Sequence, residues 1–473
     1  MKTYSQYKAT SVVWPSQVPI GWKPFRLKHL LANSIAGVWG DEPKSNGNDI
    51  ICYRAADFDF AKGYLSDDKI TYRSINLEDS DPRVIRKGDI LLEKSGGGEK
   101  TPVGRVVRAN VIAKSTCSNF VHKLSPDPVK VNPSFLYYLL RSFYCEGQTN
   151  LLFTQTTGIQ NLNMFGYLNT KFYIPTIIEQ NHISEWLDSK CERIAEIISK
   201  VDAKIAQLLR LRRAVIANAV MHGLNPNIPL KDSGLNWIPQ IPSQWEVIRL
   251  KRLGRFCKGL SITKSDLVES GHRVVNYGQI HSKSNSGTSL IDELIRFVPD
   301  SIIIKGEKAI VNQSSFIFAD TSEDLQGCGN CVYNDSGETL YAGYHTIILQ
   351  MNEEGDNRYL GYLFLTDEWR SQIRNSVNGV KVYSITQAIL NQCNVILPPQ
   401  SDQIEIADFL DTKCAKIDAL IAKYEKQKGL MARYRKAIIT QAVTGQICVC
   451  SDEILKKKEY PDNSRTISFV AEP

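Results

Sequence analysis

The sequence predicts a mixed α/β chain: two globular α+β heads joined by two long antiparallel helices that form a coiled-coil rod, related by a pseudo-twofold internal repeat. Three observations carry this expectation. The chain of 473 residues repeats itself at an offset of 223. Each copy ends in a heptad run of apolar residues, the mark of helices that pair. The middle of each copy is a series of short apolar runs and turns, as in mixed α/β domains.

The repeat is read residue by residue. Trp14, Pro19 and Trp22 recur as Trp237, Pro242 and Trp245. Arg26-Leu27-Lys28 recurs as Arg249-Leu250-Lys251. Further on, Leu187-Asp188 recurs as Leu410-Asp411, Lys190-Cys191 as Lys413-Cys414, and Ala219-Val220 as Ala442-Val443. One offset serves both ends, so two copies of one plan span about 7–221 and 230–444. Between these flanks the copies diverge, leaving echoes such as Gly158 with Gly379 and Phe135-Leu136 with Tyr359-Leu360. Each copy is therefore a variable module followed by a constant one. The expected boundaries are heads at 1–175 and 223–399, helices at 176–222 and 400–445, and a tail at 446–473.

The constant modules carry the seams. In the first, Leu187, Ile194, Ile198, Val201, Ile205 and Leu208 alternate in steps of four and three, with Cys191 between. In the second, Leu410, Ile417, Ile421, Tyr424, Met431 and Ile438 do the same. Arg212 breaks the first seam; Lys428 and Arg435 break the second. Thr176 and Glu179 have capping-box spacing, and Gly223 and Gly445 supply stops. Each helix of about 45 residues would run roughly 65–70 Å. Residues 205–222 and 426–444 contain bases and no acid, whereas both first halves are acidic. Antiparallel pairing sets acidic halves against basic ones; parallel pairing sets like against like. The competing reading, two unrelated amphipathic helices, does not explain why both seams start and stop alike.

Within the variable modules, Ile90-Leu91-Leu92, Ile302-Ile303-Ile304 and Tyr344–Leu349 read as strands, and Phe135–Leu140 and Tyr359–Leu365 as short helices. Gly96-Gly97-Gly98 lacks the spacing and the Lys-Ser/Thr ending of a phosphate loop and reads as a flexible surface turn. Residues 82–123 hold nine bases against three acids, among them Lys94, Lys100, Arg105 and Arg108. Residues 249–283 hold eight bases against two acids, among them Lys258 and Lys264. A solvated surface accounts for such runs in many proteins. Beside them, however, lies an amide-rich stretch with Gln155, Thr156, Thr157, Gln160 and Asn161. Its echo, Asn375–Lys381, contributes Asn378 and Lys381, and Gln313 and Tyr383 complete the candidates in the second head. Amides and cations read base edges, and cations position phosphates, so this pattern points to DNA.

Composition bounds the rest. With 42% hydrophobic and 23% charged residues the chain is globular, not disordered. The net charge of +7 is small for this length. It resides in the first head, with 22 bases against 15 acids; residues 223–399 hold 16 against 18. The DNA reading of the second head therefore rests on its local cluster and on the repeat. Eleven scattered cysteines, no signal-like start and no apolar run of membrane-spanning length point to a reduced cytoplasm and no membrane. No catalytic constellation emerges. The seven histidines are dispersed, and Cys328-x-x-Cys331 lacks the second pair a zinc site needs. Leu397 precedes Pro398-Pro399 where an amino-methyltransferase would need Asn or Asp, and Asp188-x-Lys190 and Asp411-x-Lys413 fall on helices, away from any nuclease partner.

The chain resembles the specificity subunit of type I restriction-modification systems. The resemblance rests on the two-copy plan and on particular segments. These are Lys231-Asp232-Ser233-Gly234, Ile241-Pro242-Ser243-Gln244-Trp245, Leu397-Pro398-Pro399, Phe409-Leu410-Asp411 and Ala442-Val443-Thr444-Gly445. In the first copy Trp186 replaces Phe409, and Met221-His222 replaces Thr444-Gly445. The resemblance implies two target-recognition domains, each reading half of a split asymmetric site in double-stranded DNA. It implies a helical rod that sets the spacer and docks two modification (methyltransferase) subunits, joined by ATP-dependent restriction subunits in the full complex. It implies that the chain is non-catalytic and binds no cofactor or metal itself, S-adenosylmethionine, ATP and Mg belonging to the partners. Two other classes compete: a two-headed coiled-coil adaptor that binds proteins, and a stand-alone enzyme whose site residues are distant in sequence.

Overall fold

The computed structural model describes residues 2–449 apart from 13, 46, 48, 112, 157, 305, 354 and 380. They form two compact units: one runs to Val201 and resumes at Glu425, and the other spans Asp202–Tyr424. Each unit therefore holds one head, the start of one long helix and the end of the other. The long helices are Ile177–His222 and Gln400–Val443.

In the first unit a six-stranded sheet has Leu31–Ala36 at one edge, then Val121–Pro126, Ile90–Glu93 and Val106–Arg108. A second sheet sets Ser115–Cys117 parallel to Asp49–Tyr53. In the second unit the corresponding sheets are Gly254–Lys258, Thr346–Met351, Phe316–Ala319 and Cys331–Tyr333, and a sheet with Leu340–Ala342 parallel to His272–Val275. The neighbour order and the parallel pair recur although the sequences have diverged, and in both units the inner strands Ile90–Glu93 and Phe316–Ala319 are fully buried.

Nearest the long helices the repeat holds to the residue. Phe172 faces Phe25 in one antiparallel pair, and Val395 faces Ile248 in the other, both shifted by 223. The Gln180 amide donates to the Pro175 carbonyl at 3.0 Å, and Gln403 donates to Pro398 at 2.9 Å. Both bonds satisfy a carbonyl just before the helix, one position ahead of the first that accepts from the helical ladder.

The antiparallel order expected from charge is visible inside each unit. Ile183, Leu187 and Ile194 from the first helix's start share a core with Ile438, Ile439 and Ala442 from the second helix's end. Ile216, Ala219 and Val220 share a core with Ile406, Leu410 and Cys414. Seam residues Val201, Ile205 and Ile417 are buried, and Ile198, Leu208, Ile421, Tyr424 and Met431 are partly so. Arg212, which breaks the seam, finds Asp418 at 3.0 Å. Its repeat mate Arg435 faces Arg141 instead, and burial followed by that like charge lowers its pKa.

Three local expectations change. Ile302–Ile304 is not a strand: Asp300–Ile303 is a helical turn following Pro299, with Asp300 in its first turn and Ile304 77% exposed. The echo of Gly158 with Gly379 is out of register, since Asn375–Asn378 is a helix end and loop, and the strand comes later, at Tyr383–Ser384. The glycine turn is also packed rather than open at Gly97, where φ is +61° and a Cβ would meet the Val103 nitrogen at 2.8 Å.

Candidate nucleic-acid interface

Besides the shared apolar cores, one carboxylate of the long helix is gripped by two side chains of each head. In the first unit the Tyr138 hydroxyl, on the helix Pro133–Cys145, donates to Asp188 at 2.7 Å. The Arg108 guanidinium pairs with the same carboxylate at 2.6 Å while lying over the Tyr64 and Tyr137 rings. In the second unit Tyr362 donates to Asp411, and Arg358 bridges Asp411, Asp408 and Asp356. Burial, reinforced by the nearby acidic groups, raises the pKa of both tyrosines, so each stays a donor.

This clasp corrects the reading of the basic run. Arg108 is not a free cation on an open face: it is largely covered and paired within the clasp. Arg105 forms a two-point pair with Glu93, at 2.8 and 3.0 Å, and Glu93 is buried. Arg83, Lys114 and Lys123 likewise pair with Asp81, Asp79 and Asp89. Five of the nine bases of residues 82–123 are thus held in ion pairs, with Asp79, Asp81, Asp89 and Glu93 in or beside the run and with Asp188 from the long helix.

The other candidates lie as follows. Lys94 is half-buried and Lys100 exposed. Gln155 and Asn161 are exposed, but Gln160 points inward and accepts from the Val103 nitrogen at 3.1 Å. The backbone of Thr156 continues the strand Phe153–Thr156; Thr157 lies outside the described residues. Lys258, Lys264, Gln313, Asn378 and Lys381 are exposed on separate strands and turns, and Tyr383 is half-buried on its strand. The structure brings Lys94, Gln160 and Asn161 together around the short strand Ser95–Gly96, which pairs with Gln160 and Asn161. It places Tyr383 at the matching position of the second unit, where Thr321–Ser322 pairs with Tyr383–Ser384.

Beside each of these pairings opens a cleft. In the first unit it measures about 460 Å³ and is lined by Trp39, Arg54, Ser95, Gly96, Asn119 and Phe120. In the second it measures about 510 Å³ and is lined by Tyr277, His281, Ser322, Asp324 and Asn330 among others. The Tyr277 ring contacts Tyr344 and His345 at 5.6 and 5.4 Å. Sequence reading missed Trp39, Phe120, Tyr277 and His345. They carry no charge cluster, and only the match between the two sheets brings them to notice.

Among the described residues no group of three or more His, Cys, Asp or Glu is placed to hold a metal ion. No described helix is long and apolar enough to cross a membrane. Two copies of one α/β module, clasped in the same way to two long helices and carrying unlike clefts at one place, define a protein of paired recognition modules. The family model for the type I restriction modification DNA specificity domain matches residues 19–210 and again 242–427. The chain belongs to that family. It is 21% identical over 371 residues to the type I restriction enzyme MjaVIII specificity subunit of Methanocaldococcus jannaschii, covering 77% of this chain and 80% of that one. It is 19% identical over 212 residues to the type I restriction enzyme EcoKI specificity subunit of Escherichia coli, covering 44% of each. In fold it is similar to a chain from a solved structure on complex assembly and conformational transition of the type I R-M system. There the TM-score is 0.65 at 17% identity, with 91% of this chain and 100% of that one covered.

Proposed function

We propose that this chain is the DNA-reading subunit of a type I restriction-modification complex and recognises a split, asymmetric site, one half per head. One observation carries the reading: the frame repeats to the residue at its clasp carboxylates and helix entries, whereas the cleft at the same place in each head is built from different side chains. Two unlike readers on one frame suit two unlike half-sites. In this reading the long helices set the spacer and dock two modification subunits, with restriction subunits added in the full complex. The chain itself is non-catalytic and cytoplasmic. S-adenosylmethionine, ATP and Mg serve the partners.

The test is to reconstitute the chain with its modification subunits and map protection and methylation on random-sequence duplex DNA. Two short protected cores separated by an indifferent spacer are expected, with affinity falling steeply as salt rises. A single contiguous core would sink the two-reader function. Weak, salt-indifferent DNA binding would favour an adaptor of proteins.

A further inference from the structure

Beside the two clefts the same pair of backbone hydrogen bonds recurs, which allows the side chains around them to be compared position by position. In the first unit the Lys94 nitrogen donates to the Phe120 carbonyl at 3.0 Å, and the Lys94 carbonyl accepts from the Leu162 nitrogen at 2.8 Å. In the second unit the Asp320 nitrogen donates to the His345 carbonyl at 3.0 Å, and the Asp320 carbonyl accepts from the Ile385 nitrogen at 2.7 Å. Leu162 and Ile385 are again 223 apart. Lys94 is therefore the counterpart of Asp320, and Phe120 the counterpart of His345. The shared geometry inverts the charge at one position and exchanges an apolar ring for a polar one at the other.

Both rings are presented outward. Phe120 is 46% exposed at the tip of the turn between Ser115–Cys117 and Val121–Pro126. His345 sits at the tip of the matching turn and holds a φ of +55°, a left-handed conformation costly for a residue with a Cβ. Its Nδ1 lies 3.2 Å from an Asp320 oxygen and 3.4 Å from Thr321 Oγ1, so its Nε2 is the ring atom left for a ligand. An exposed phenyl ring and an imidazole steered by a carboxylate add little to either core. They differ where the frame around them does not.

We propose that Lys94 with Phe120, and Asp320 with His345, are the base-reading pairs of the two heads. The inference rests on the DNA-reading function proposed above and names where in each head that reading occurs. Lysine donates to guanine N7 and O6, and the only apolar group on a major-groove edge is the thymine methyl, so Phe120 reads a thymine. With Nδ1 donating to Asp320, His345 Nε2 accepts from an exocyclic amine.

The experiment maps the methylated site of the reconstituted modification complex for the unaltered chain, Phe120→Ala and His345→Gly. Glycine suits the left-handed backbone at 345, and Phe120 is largely outside the core, so thermal unfolding should show both variants folded. Phe120→Ala should relax one half-site by about tenfold at one base pair and leave the other half intact; His345→Gly should do the reverse. Replacing thymine by deoxyuridine at the relaxed position should reproduce the Phe120→Ala loss with the unaltered chain. If the unaltered chain gives a split site but both variants keep it unchanged, or weaken both halves evenly, the inference is overturned and the function stands. If the unaltered chain gives no split site, the function itself falls.

Discussion

Asp188 accepts from the Tyr138 hydroxyl at 2.7 Å and stands 223 residues before Asp411, which accepts from Tyr362 in the same way. A residue that a heptad reading treats as a flanking charge is the point where a head is fastened to its helix.

Removing that point should loosen one unit at a time. Asp188→Ala leaves Arg108, a partly buried cation, without its ion-pair partner and the Tyr138 hydroxyl without an acceptor. A loss of about 2 kcal/mol in the stability of the first unit is expected. Asp188→Asn, which keeps an acceptor, should recover part of it. Differential scanning calorimetry checks the order, and Asp411→Ala should act likewise on the second unit.

Acid should weaken the first head through His122. Burial, with a smaller contribution from Lys94, lowers its pKa to about 4, and its Nε2 lies 2.8 Å from the Ser34 hydroxyl. An unfolded histidine takes up its proton near pH 6.5. Between pH 6.5 and 4 the unfolded chain therefore binds more protons than the folded one, and stability is lost as the pH falls through that window. The contribution is at most about 3 kcal/mol. In His122→Gln the decline of the unfolding midpoint between pH 6.5 and 4 should be shallower. An unchanged slope would show that His122 does not titrate this way.

The ends of the described chain meet. The Cys448 nitrogen donates to the Lys2 carbonyl at 2.8 Å, and the Tyr7 hydroxyl donates to the Gly445 carbonyl at 3.0 Å. In the second unit the covalent stretch 223–229 leads from a helix end to the strand Leu230–Leu235, the counterpart of Tyr7–Ala9. A chain opened within 223–229, with a short linker from 449 to 2 in place of residues 450–473, should fold and direct its modification subunits to the same site. Circular dichroism and site mapping are the readouts.

The helical ruler is tested by lengthening it. Seven residues added to each long helix, after Val201 in the first and after Tyr424 in the second, add about 10 Å. The preferred spacer should grow by about 3 base pairs, at 3.4 Å per step. An unchanged spacer in the mapped site would mean that the helices do not set it.

Much of the frame was legible because it is periodic. The offset of 223 and the two seams place the helices within a few residues of Ile177–His222 and Gln400–Val443. The heads were less legible, because their order is non-local. Arg108 reads as a free cation until the fold brings Asp188, 80 positions away, to its guanidinium. Ile302–Ile304 has the composition of a buried strand, but nothing in it records that Pro299 starts a helical turn. Phe120 and His345 share no residue type and lie 225 apart rather than 223, so only the backbone bonds they share reveal them as counterparts.

The clasp also sets a rule of exchange. What a head offers its long helix at Asp188 or Asp411 is one tyrosine and one arginine, and the arginine comes from a different part of each head, Arg108 on a strand and Arg358 at the start of a helix. The helix thus offers a fixed socket at that carboxylate, and the arginine prong can reach it from a strand or from a helix. A chain that exchanges one head for another must carry those prongs together with the apolar residues that share the helix core, such as Phe135 and Leu136, if it is to fold.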